Sequence, residues 1–374
     1  MELQGSLFDF LPDAQAAQFR KLKADDWKWK FSDYPKEKNG IKVFSCFACG
    51  GGSTMGYKLA GCDVIGCCEI DPKMNEVYVK NHHPKHNFLM DIRDFNAIPN
   101  NELPAELFDV DILDGSPPCT TFSIVGDREK TWGKEKKFRE GQKMQTLDDL
   151  SFVFIETVKK LRPRVVIMEN VEGLLLGEAF SYVRRIYTDL ECAGYVVNHQ
   201  LMKGETMGIP QARHRVFFIA CRKDIGIDPK QLDLAFNYEP IVYGIFKTQH
   251  EKAAKGKMHE AIKTARPGEK VADIMERVYG HYSGLTHRIA WNDLIYPTQT
   301  AGHADIWTPR GNHPSDEDVL HAQTFPEDYD LCGMASEYIC GMSVPPVMMK
   351  RIVQRLIEQG VFRYKFGGEM NSEG

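Results

Sequence analysis

At 374 residues and 42.6 kDa, with 43% hydrophobic and 26% charged residues, the chain is long enough for about two domains with sizeable cores. No apolar run approaches the roughly 18 residues of a membrane span, the start shows no basic-then-apolar leader, and ten cysteines in so long a chain read as reduced thiols of a cytoplasmic protein rather than a disulfide framework. The net charge of −5 gives no overall hint of nucleic acid, but residues 126–143 hold seven Lys/Arg against four Asp/Glu, and residues 247–270 hold seven against three, as in the footprint of a polyanion cleft or a solvated face.

Residues 1–40 lack a clear period and read as a surface arm with one short helix near residues 14–22. Residues 41–47 read as a strand, followed by Cys49-Gly50-Gly51-Gly52 and a helical pattern through Met55, Leu59 and Ala60. Strand, glycine loop and helix in that order let the backbone approach a ligand closely beside free helix N–H groups. A second strand over residues 64–69 ends on Glu69 and Asp71, and an acid about 20 residues after such a loop is placed to accept from ribose hydroxyls in a doubly wound sheet. Met90-Asp91-Ile92 lies at the next strand end, suited to an adenine contact. Cys46-Phe47-Ala48-Cys49 is the rival, a redox pair or half a metal site, set aside because no second ligand pair follows and glycines occupy the helix start. No metal is expected.

A strand over residues 110–113 leads into Asp114-Gly115-Ser116-Pro117-Pro118-Cys119. Two prolines stiffen the path out of the strand, so Cys119 is held either as a nucleophile or as a small buried apolar residue. A polar, glycine-spaced loop follows to residue 145, then a resemblance to a capping box at residues 146–149 and a helix ending at Arg162-Pro163. The strand over residues 164–168 delivers Glu169-Asn170-Val171 to the same carboxyl edge as Cys119 and Glu69, where open parallel sheets bind ligands. A helix through Phe180, Val183, Ile186 and Leu190 and a strand at residues 196–197 come next. Arg213 and Arg215, two apart ahead of the apolar strand over residues 216–221, face one way and can meet an anionic or carbonyl-rich surface. Residues 222–290 lose periodicity and read as a smaller second domain. The last helix starts at Pro345-Pro346 and ends before Gly360.

Five blocks, Phe47-Ala48-x-Gly50-Gly51-Gly52, Pro117-Pro118-Cys119, Glu169-Asn170-Val171, Gln211-Ala212-Arg213-His214-Arg215 and Gly341-x-Ser343-Val344, resemble in content and order the DNA (cytosine-5) methyltransferases. The resemblance implies an α/β fold, a doubly wound, Rossmann-like S-adenosylmethionine-dependent methyltransferase sheet. It divides the chain into an arm (1–40), a catalytic domain (41–221), an inserted target-recognition domain (222–290) and a segment packing back on the catalytic domain (291–374). It assigns Cys119 as the nucleophile, with Glu169, Arg215 and Arg213 as catalytic partners. Phe47, Ala48, Gly50, Gly51, Gly52, Glu69, Ile70, Asp91, Ile92, Pro118, Ser343 and Val344 would hold the donor. Double-stranded DNA is the implied partner, with a monomeric, prokaryotic or phage-encoded enzyme and a cognate restriction endonuclease as accompanying expectations. This sequence departs from the family pattern at Cys49 (usually glycine), Thr120 (glutamine), His321 (arginine) and Met342 (asparagine), which puts the donor site's shape in question. A transfer-RNA methyltransferase is the nearest rival, but its Cys-Phe-Thr signature is absent from residues 222–290. A catalytically altered DNA-binding relative with changed donor use is the other.

Overall fold

The computed structural model describes residues 22–118, 149–280, 286–301 and 305–365. Cys119, Thr120 and the basic stretch 126–143 lie outside the described residues, as do the expected helix near residues 14–22 and most of the expected capping box. Among the described residues, seven strands form the central sheet: β1 (Lys42–Cys46), β2 (Asp63–Glu69), β3 (His86–Leu89), β4 (Ile112–Gly115), β5 (Val165–Val171), β6 (Tyr195–Lys203) and β7 (His214–Arg222), in the order β3-β2-β1-β4-β5-β7-β6. β1 to β5 run parallel, and β7 is antiparallel to both neighbours. This is why β1, β4 and β5 are buried along nearly their whole length: a parallel sheet is covered on both faces, and the polar residues Ser45, Asp114 and Glu169 fall toward the carboxyl ends.

Alternate residues serve the two layers. Val43, Ile112, Ile167 and Phe217 join one core with α1 (Gly52–Leu59) and the C-terminal helix Pro346–Glu358. Phe44, Leu113, Met168 and Phe218 join the other core. That second face is covered by α3 (Ile92–Ala97), α4 (Leu150–Leu161) and α5 (Phe180–Cys192), while α2 (Pro72–His82) follows β2. Asp71 caps α2, accepting from the Lys73 and Met74 amides, and Asp91 caps α3, so both acids have structural work at strand ends.

Residues 26–29 are anchored on the C-terminal part of the chain. The Trp29 indole donates to the Thr324 carbonyl at 2.8 Å, and Asp26 pairs with Lys350 and Arg351 of the C-terminal helix. Leu234, with Ile225, Ile227, Leu232 and Phe236, packs on the sheet's core, whereas Ile289, Ile306 and Trp307 pack with Tyr243, Phe246, Ile262 and Ile274 in two smaller clusters. The strands beside these clusters are only two residues long, too short to carry a periodic signal.

Candidate active site

The carboxyl ends of β2, β4 and β5 and the start of the antiparallel β7 meet at one cleft of about 350 Å³. Its wall on the β2 side is Phe47, Glu69, Ile70, Asp91 and Ile92; opposite stand Pro117, Pro118, Glu169, Asn170, Arg213 and Arg215. Glu69 is buried, accepting from the Cys49 amide at 2.8 Å and the Asp71 amide at 2.9 Å. Burial raises its pKa, and the backbone donors oppose that rise. Cys49 lies at φ +47°, the left-handed region that a side chain tolerates poorly, and this turn aims its N–H at Glu69.

On the opposite wall Glu169 Oε1 lies 2.8 Å from Arg215 Nε, and Arg215 Nη1 donates to the His214 carbonyl at 2.7 Å. Asn170 donates to the Pro117 carbonyl at 3.4 Å, tying the proline path to β5 just before Cys119. Arg213 is 2% exposed and forks onto two main-chain carbonyls, Gln299 at 2.9 Å and Gly341 at 3.0 Å. Burial works against the charge on both arginines, and for Arg215 the Glu169 carboxylate offsets it.

The chain matches the family of C-5 cytosine-specific DNA methylases over residues 41–358. It belongs to that family. The Type II methyltransferase M.Sau96I of Staphylococcus aureus is 25% identical over 86% of this chain and 77% of its own length, and M1.HphI of Haemophilus parahaemolyticus is 29% identical over 85% and 87%. The fold is that of Spodoptera frugiperda DNMT2 (TM-score 0.58, 14% identity, covering 85% of this chain and all of that one) and of the Entamoeba histolytica methyltransferase EhMeth (TM-score 0.56, 12% identity, 86% and 98%). The protein is thus a cytosine C-5 DNA methyltransferase whose central sheet has the Rossmann-like form of its class.

Not every residue expected at the donor site of this methyltransferase lines the cleft. Ala48 is buried against Cys67 and Tyr78. Gly50, Gly51, Gly52, Ser343 and Val344 lie behind the wall, where the loop is pressed against the C-terminal segment and α2. A methyl group on Gly50 would come 2.5 Å from the Ile339 side chain, one on Gly51 would meet the His82 ring, and one on Gly52 would overlap the Val344 carbonyl. The glycines thus permit close packing of chain on chain. Gly52→Ala is expected to cost about 1–3 kcal/mol of stability through overpacking and to weaken donor binding; urea unfolding and calorimetric titration of the donor would measure both.

Sequence reasoning passed over Leu150, Ala301 and Tyr338 as parts of the lining, since none has a polar or motif signal of its own. Met342 does line the cleft. His321 instead packs edge-on against Trp27, with ring centroids 5.7 Å apart, away from the cleft. Cys46 is buried within β1 and its thiol is pushed well above the usual range, chiefly by burial, which is unlike a reactive redox cysteine.

Proposed function

We propose that the protein transfers the methyl group of S-adenosylmethionine to carbon 5 of a cytosine flipped out of duplex DNA, through a covalent adduct on Cys119. The observation that carries this reading is the Glu169–Arg215 pair at 2.8 Å, on the same cleft as Glu69 and beside the proline path that leads to Cys119. A buried carboxylate with two backbone donors, flanked by Phe47, Ile70 and Ile92, fits a nucleoside: an acceptor for ribose hydroxyls beside apolar walls for a flat ring. When bound, the donor supplies an electrophilic methyl group.

Carbon 5 of cytosine is a weak nucleophile. Addition of the Cys119 thiolate to carbon 6 makes the ring an enamine that can attack the methyl group. Glu169 holds N3 and the exocyclic amine and keeps the proton on N3 while charge develops, and Arg215 orients Glu169 and supports that charge. Loss of the carbon 5 proton to a base, with water as the candidate, then expels Cys119. Arg213, its two Nη groups engaged by Gln299 and Gly341, acts as a positioning residue that fixes the C-terminal segment over the cleft.

A stacked base cannot reach this cleft, so the target must leave the helix. Lys255, Lys257 and Lys270 are exposed and have no carboxylate within ion-pair distance among the described residues, which suits contacts to DNA phosphates. One chain supplies every proposed group, consistent with a monomer, and the Type II names of its relatives support a cognate restriction endonuclease. The test is transfer of labelled methyl to unmethylated duplex DNA and, separately, to transfer RNA, with the product nucleoside identified. The expected result is 5-methylcytosine in DNA alone; label in RNA alone would overturn the substrate assignment.

A further inference from the structure

A buried acid beneath the active site has no part in the chemistry described so far. Asp114 lies in β4, 1% exposed, and accepts from Ser45 Oγ at 2.7 Å and Tyr57 Oη at 3.1 Å. Ser45 is its register partner on β1, and Ile167 its partner on β5. Ser45, Asp114, Glu169 and Arg215 each stand two residues from Val43, Ile112, Ile167 and Phe217, which share one core on one sheet face. The four therefore face the same way and form a diagonal polar row across β1, β4, β5 and β7. At one end is the strand that carries the donor loop, and at the other the Glu169–Arg215 pair.

We propose that Asp114 is a positioning residue for methyl transfer, whose hydrogen bonds from Ser45 and Tyr57 fix β4 where it delivers the Ser116–Pro118 path. The inference rests on the methyl-transfer reading above. Burial, more than any other cause, raises the Asp114 carboxyl to about 7; the Glu169 charge pushes the same way, and the Ser45, Tyr57 and Ser53 hydroxyls pull it down. The other titratable groups packed around it are Cys46 on β1, Tyr57 on α1 and Tyr78 on α2. Burial pushes all three well above their usual values, so they stay protonated near neutral pH. That leaves Asp114 to change charge beside Glu169, which in turn faces Arg215 and Arg213.

Ionised Asp114 is the stronger acceptor for the Ser45 and Tyr57 hydroxyls, so it holds β4, and the Ser116–Pro118 path that leaves it, more firmly. The single-turnover methyl-transfer rate of the full chain should therefore rise through an inflection near pH 7. Asp114→Asn should abolish the inflection and leave the KM for DNA unchanged. Ser45→Ala removes a donor that favours the ionised form and should move the inflection to higher pH. Identical pH profiles for wild type and Asp114→Asn would overturn the proposal.

Melting temperature against pH provides a readout that needs no activity. An acid whose folded pKa lies above its unfolded value costs stability as pH rises between the two. The advantage of Asp114→Asn over wild type should thus grow from about pH 4 to 7 and level off above. A constant gap overturns the proposal even if the chain transfers no methyl group, an outcome that would sink the functional reading by itself.

Discussion

Glu169→Gln is expected to lower kcat for methyl transfer by about 10²–10⁴-fold, the range for loss of a positioned proton-transfer group, with little change in the KM for DNA. The side chain keeps its shape and can still meet the exocyclic amine, but it no longer offers a carboxylate to N3. It also leaves the Arg215 guanidinium, 14% exposed at its side chain, facing a neutral amide. Removing one partner of a fully buried pair costs ~3–5 kcal/mol; the cleft is open, so about 2–3 kcal/mol is expected here. Single-turnover kinetics and urea unfolding separate the two effects. Glu169→Asp keeps the charge and should recover more stability than rate, because the shortened side chain draws the carboxylate back from N3. Activity within a few-fold of wild type in Glu169→Gln would remove Glu169 from the mechanism.

Arg213→Ala has a different signature. It breaks two hydrogen bonds to the Gln299 and Gly341 carbonyls, each worth about 1.5–3 kcal/mol for a charged donor, and leaves the buried Gln299 acceptor without that partner. A loss of about 3–5 kcal/mol in unfolding free energy is expected, partly offset because a buried charge is removed as well. Donor affinity should fall with it, since Gly341 and Met342 line the cleft. Arg213→Lys should restore little, because an ammonium cannot fork to two carbonyls held apart. Denaturant unfolding and limited proteolysis, with cleavage expected near residues 299–301, would test this. Unchanged stability with lost activity would instead give Arg213 a direct part in catalysis.

These two residues also show what could be read from the sequence. The sheet was legible because its inner strands are short apolar runs bounded by loops, and Glu69 and Glu169 were legible because acids at the carboxyl ends of such strands stand where ligands bind. The alternation of Arg213 and Arg215 put the two on one face, and both line the cleft. It could not show that Arg213 spends its donors on carbonyls 86 and 128 residues away, since main-chain partners leave no mark in the side-chain pattern.

The glycine loop shows the same limit from another side. Three glycines announce a close approach without saying by what, and here the C-terminal segment and His82 come close. Residues 22–34 have no period because they follow an irregular path, with a turn at 26–28 and a 3-10 helix over Phe31–Asp33, held by single anchors such as Trp29 and Asp26. Asp114 was visible as part of the strand-to-loop stretch, but its partners Ser45 and Tyr57 come from two other elements.

The central claim is that Cys119 adds covalently to the target ring. The most direct measurement uses duplex DNA containing 5-fluorocytosine in place of cytosine, incubated with the full chain and S-adenosylmethionine. Fluorine cannot leave as the carbon 5 proton does, so elimination stops and the thioether bond persists. The account predicts a denaturant-stable, donor-dependent protein–DNA complex that maps by mass spectrometry to the peptide containing Cys119 and is absent from Cys119→Ser. Formation of 5-methylcytosine on ordinary DNA by Cys119→Ser, or an adduct mapped to another residue, would contradict it.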